Sequence, residues 1–75
     1  MSVESAFTDS ELSALAIAAA ADYAKEYRSG SRRKAQDWCA ERCASDLRHI
    51  PWGTYGYSWA IYKEVFDQQV EARLK

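Results

Sequence analysis

Two breaks, at Gly30 and at Pro51, divide this chain into three stretches, each repeating its apolar residues at helical spacing. Glycine ends a helix readily because it enters left-handed backbone conformations, and proline drives the preceding residue, Ile50, out of the helical region. No stretch alternates apolar and polar residues long enough to make a convincing strand. The expected fold is all-α, a compact three-helix bundle with helices over about 9–28, 32–49 and 57–73. A chain of 75 residues makes a single domain, 1–75. At that size about 60% of the unfolded surface is buried, so few contacts are redundant.

The first helix carries its own start signal. Thr8 and Glu11 form a capping box, in which each side chain satisfies a free backbone N–H at the other's position. Phe7 and Leu12 flank the cap as a hydrophobic staple, and Asp9 and Glu11 place negative charge at the positive end of the helix dipole. Alanine then dominates. Leu12, Leu15, Ala16, Ala19, Tyr23 and Tyr27 make one apolar face. The run over 14–21 (ALAIAAAA) resembles the apolar region of an export signal, but Glu4, Asp9 and Glu11 precede it where positive charge is needed. It also falls short of the ~20 residues that span a bilayer, so neither export nor a membrane partner is expected.

Ser31 is the expected cap of the second helix, whose core stripe is Ala35, Cys39, Cys43, Leu47 and Ile50. Four residues apart on one helix, the two cysteines would hold their Cβ atoms about 5–6 Å apart, beyond the roughly 3.5–4.5 Å of a disulfide. They read as reduced, buried apolar residues, which points to a cytoplasmic setting. A second stripe, Lys34, Trp38, Arg42 and His49, lies roughly 100–130° away on the wheel. Arg32, Arg33 and Lys34 then crowd the positive end of the dipole, a local conflict of the kind found where function competes with stability.

Pro51, Gly53 and Gly56 read as a connection carrying Trp52 and Tyr55. In the third helix, Trp59, Tyr62, Phe66 and Val70 form the main apolar stripe, and Ile61, Val65 and Ala72 a flanking one. Together they cover roughly 220° of the wheel, more than one neighbour needs. Trp59 and Phe66 are expected in the core, with Trp52, Tyr55 and Tyr57 on an exposed or dimeric surface. Lys63, Asp67, Glu71 and Lys75 form a solvated face, which also accounts for the alignment of Glu64 with Asp67 and Glu71.

No catalytic set emerges. His49 is the only histidine and sits about one and a half turns from Cys43 on another face, so the pair cannot meet within one helix. Cys39, Cys43 and His49 do not match zinc-ligand spacing, and the 29–34 turn lacks the phosphate-binding G-x-x-x-x-G-K-[ST] pattern. No enzyme, metal or cofactor is expected. The aromatic and basic residues Arg32, Arg33, Lys34, Trp38, Arg42, His49, Trp52, Tyr55 and Tyr57 instead suggest a surface for a protein partner, acting by steric inhibition or bridging. Small inhibitors encoded by phages and mobile elements, anti-CRISPR proteins among them, belong to that class. Three alternatives stand beside it. Arg32, Arg33, Lys34 and Arg42 could contact nucleic-acid phosphates, although a net charge of −1 gives no global attraction. The broad arc of the third helix could close a homodimer. Trp38 could also be ordinary structure, packed beneath the Trp52 connection with Lys34 and Arg42 laid along it.

Overall fold

The computed structural model describes residues 7–48 and 52–74, with side chains in the second stretch from residue 56 onward. It is an all-α three-helix bundle: α1 spans Asp9–Arg28, α2 Ala35–Asp46 and α3 Trp52–Leu74. Helix α1 begins and ends as its sequence dictates. Thr8 Oγ1 accepts from the Glu11 N–H at 3.1 Å, and the Glu11 carboxylate accepts from the Thr8 N–H at 2.8 Å. Gly30 follows the C-terminal Ser29 with φ +117°, a conformation that side chains resist.

Helices α1 and α3 run parallel. Tyr57 reaches Asp9 at one end, Tyr23 meets Phe66 midway, and Arg28 donates to the Arg73 carbonyl at the other end. The interface sets small residues against large ones. Ala16, Ala19, Ala20 and Ala24 of α1 are buried, as are Tyr62 and Phe66 of α3, and Leu12 closes the same core. Each large side chain removed from water contributes roughly 1.5–3 kcal/mol. Helix α2 returns across this pair and adds Cys39, Cys43 and Leu47, all buried, while Ala35 packs at the margin. Neither cysteine is in a disulfide. At twelve residues α2 would be marginal alone, so its packing against α1 and α3 must hold it.

Two boundaries differ from the sequence expectation. Helix α2 starts at Ala35, not 32, because residues 31–34 stay outside it and Lys34 is its extended N-cap without a side-chain bond. Ser31 is not the cap; its hydroxyl accepts from the Arg33 N–H within the connector. The Tyr23 hydroxyl donates to the Arg33 carbonyl at 2.8 Å and holds the connector off the helical path. Arg32 and Arg33 thereby leave the first turn of the dipole, while Lys34 stays at its N-cap, so the conflict read from the sequence is relieved in part. The helix also ends at Asp46 rather than 49, and Ile50 and His49 lie outside the described residues.

Helix α3 starts at Trp52 rather than 57, so Gly53 and Gly56 lie within it. Packing along α1 offsets the roughly 1 kcal/mol that each helical glycine costs relative to alanine. The wide apolar arc serves two neighbours: Trp59, Ile61, Val65, Val70 and Leu74 are partly buried around the core. Trp59 is therefore marginal rather than central, and Ala72 and Tyr27, expected on apolar faces, are exposed.

The two glycines give opposite expectations. A Cβ at Gly56 meets nothing within 4 Å and its φ is not positive, so Gly56→Ala should stabilise by up to about 1 kcal/mol. Gly30→Ala should destabilise by about 1 kcal/mol or more. Urea unfolding of both variants checks this, and no gain at Gly56 would place it outside a helix.

Candidate functional site

Trp38 sits one turn into α2, and its indole is laid across α1. Nε1 donates to the Ala19 carbonyl at 3.3 Å, and the ring centroid lies 5.7 Å from that of Tyr23 at a tilt of 55°. The ring is half-buried, so the expected free aromatic plate is corrected to an anchored one whose outer part stays accessible. Shallow concavities lie on either side. One is lined by Trp38, Glu41, Arg42 and Ser45, the other by Asp22, Lys25, Glu26, Ser29, Trp38 and Arg42.

The cations around this ring are rearranged by the later start of α2. Arg33, not Lys34, lies beside the indole, with its guanidinium 5.8 Å from the ring centroid. Arg33 pairs with Glu41 at 2.9 Å. That hydrogen bond holds the Glu41 carboxyl below its usual range and the Arg33 guanidinium above its own. Arg42 reaches Asp22 on α1 at 2.9 Å and Asp46 on its own helix at 3.7 Å. Burial opposes its charge, yet the Asp22 hydrogen bond and both carboxylates prevail and raise its pKa. Lys34 is exposed, with no ion pair among the described residues.

Of the remaining expected residues that the structure describes, Arg32 and Tyr57 stand apart from Trp38. Arg32 stacks over the Tyr27 ring at 5.2 Å, at the end of the bundle where α1 and α3 terminate. Tyr57 stands at the opposite end, exposed, donating to both Asp9 carboxylate oxygens at 3.0 and 3.2 Å. The side chains of His49, Trp52 and Tyr55 lie outside the described residues.

Sequence reading missed the carboxylates that partner the arginines. Asp22 and Arg42 are twenty residues apart, so no helical wheel could join them. Asp46 was likewise unmarked, though it lies at the negative end of the α2 dipole, where a carboxylate is disfavoured. What holds it there is tertiary: the buried Tyr62 hydroxyl donates to its Oδ2 at 2.8 Å. Tyr62, Asp46, Arg42 and Asp22 thus form one polar line from α3 through α2 to α1.

Both thiols are buried. Burial, reinforced by the neighbouring Cys43, pushes the Cys39 thiol up to about 12. No group of three or more His, Cys, Asp or Glu side chains among the described residues could hold a metal ion. No helix among them is long and apolar enough to cross a membrane. No protein family, curated protein or solved structure matches the chain.

Asp46→Ala should cost roughly 1–3 kcal/mol, because it leaves the buried Tyr62 hydroxyl without an acceptor. Adding Tyr62→Phe should return part of that loss; strictly additive losses in urea unfolding would show that the two groups do not interact. The raised Cys39 and Tyr62 pKa values also set an alkaline limit, because the unfolded chain loses these protons first. The Cys39 contribution should be complete below the ordinary thiol value of 9.0 and vanish as pH rises toward about 12. A urea midpoint that stays constant across that window would count against the burial of the thiol.

Proposed function

We propose that this domain is a protein-binding module that acts sterically, by covering a site on a macromolecular partner or by bridging two. The observation that carries this reading is the compensation of both guanidinium groups beside Trp38 by carboxylates, Glu41 for Arg33 and Asp22 with Asp46 for Arg42. Phosphates would have to compete with those carboxylates for each arginine. A protein surface of mixed charge could instead meet the outer side of α2 with the pairs intact. An anchored aromatic ring between fixed charge pairs loses little side-chain freedom on binding, which favours affinity.

The nucleic-acid alternative retains only the cations away from Trp38. The homodimer alternative has less to draw on, because Trp59, Ile61, Val65 and Val70 of the apolar arc are already partly buried against the core of their own chain. Two buried cysteines outside any disulfide suit a reducing, cytoplasmic setting. Steric inhibitors encoded by phages and other mobile elements work in the proposed manner.

Truncating Trp38 would confound any binding test, since the ring also packs on Tyr23. Ala44→Arg combined with Ser45→Arg alters only exposed positions and leaves the Arg33–Glu41 and Arg42–Asp22 pairs in place. Pull-down from the native cell should lose a specific co-purifying protein in this variant while the melting temperature holds, and an unchanged catch would dismiss the surface. A short duplex should show no binding even at low ionic strength. Affinity that falls steeply with salt would favour nucleic acid instead.

A further inference from the structure

The end of the bundle where α1 and α3 terminate carries a second cluster that the Trp38 surface does not include. Arg28 and Tyr27 come from the last turn of α1, Arg32 from the connector, and Arg73 and Leu74 from the last turn of α3, and together they line one shallow concavity. Its electrostatics differ from those of the Trp38 surface. Arg33, Arg42 and Lys63 each sit in an ion pair, whereas Arg28, Arg32 and Arg73 have none among the described residues.

The interactions they do make leave capacity to spare. Arg28 donates from one nitrogen to the Arg73 carbonyl, and Arg32 donates from one nitrogen to the carbonyls of Ser31 and Tyr27. A guanidinium has five N–H donors, so each retains a free edge. The aligned C-termini of α1 and α3 bring partial negative charge here, roughly half an elementary charge each, which three cations exceed. The nearest glutamates in sequence, Glu26 and Glu71, stand two residues from Arg28 and Arg73, about 160° around their helices.

We infer that this end is a docking site for an acidic peptide segment, with carboxylates held by Arg28, Arg32 and Arg73 and an apolar side chain resting on Tyr27 and Leu74. The arginine fork matches a carboxylate with two parallel bonds. The apolar floor is what selects a peptide over a bare anion. Tyr27 is 41% exposed, and Arg32 stacked on it holds one wall of the site in place. The inference is independent of the Trp38 surface and survives its failure; if both hold, the module has two contact faces and works as a bridge.

The test is fluorescence anisotropy at physiological salt, with a labelled short peptide alternating glutamate and leucine and its glutamine-for-glutamate counterpart. Wild type should bind the glutamate peptide, and Arg32→Glu with Arg73→Glu should weaken it by roughly tenfold or more. Lys63→Glu, which changes charge by the same kind at a distant exposed position, should leave affinity within about twofold, the range expected when no direct contact is lost. Where the double charge reversal lowers the melting temperature, Arg32→Gln with Arg73→Gln replaces it and should still weaken binding. Amide shifts in a nuclear magnetic resonance titration should centre on residues 27, 28, 32, 73 and 74. Absence of binding, equal binding of the glutamine peptide, an equal loss in Lys63→Glu, or tighter binding of a single-stranded oligonucleotide would each overturn the site.

Discussion

Tyr23 ties the molecule together. Its ring touches Trp38 of α2 and Phe66 of α3, at 5.7 and 6.1 Å between centroids, while its hydroxyl holds the carbonyl of Arg33 in the connector. One side chain thereby sets where α1 meets α3, where α2 lies across them, and where α2 begins. It can do so because the rest of the α1 face is small. Ala16, Ala19, Ala20 and Ala24 bring no bulk to the interface, so the large rings of α3 approach the α1 backbone closely. Shortening the connector or enlarging an alanine would displace the same ring.

Parallel packing of α1 and α3 has an electrostatic cost, since like ends of two helix dipoles lie side by side. The sequence offsets it at both ends. Asp9 and Glu11 stand at the start of α1, and Asp9 also receives the hydroxyl of Tyr57 from α3. At the other end Arg28 of α1 bonds a terminal carbonyl of α3. Part of the basic character of that end is therefore architectural, and what exceeds this need is available to a partner.

Legibility followed the range of the interactions. The capping box at Thr8 and the stop at Gly30 depend on neighbours within one turn, and the helical spacing of Cys39, Cys43 and Leu47 marks a face that has to be covered, so the sequence showed all three directly. The start of α2 did not show, because Ser31 followed by good helix formers outweighs, as a local sign, the three cations that crowd the dipole there. A hydroxyl ten residues earlier overrides those signs. The start of α3 was hidden for the converse reason: two glycines argue locally for a turn, and only the length of the α1 surface argues for a helix. The candidate site was legible in its residue types and not in its pairings. Trp38 finds its acceptor nineteen residues back and Arg42 its carboxylate twenty back, distances over which periodicity carries no information.

The outward side of α2 follows from its narrow attachment. Gln36, Asp37, Ala40, Glu41, Ala44 and Ser45 face water, while the helix is retained from beneath by Trp38, the two thiols and Leu47. Apart from Glu41, which pairs with Arg33, those positions can change identity with little consequence for folding. Substitutions there, taken one residue at a time, leave the scaffold that presents them unaltered.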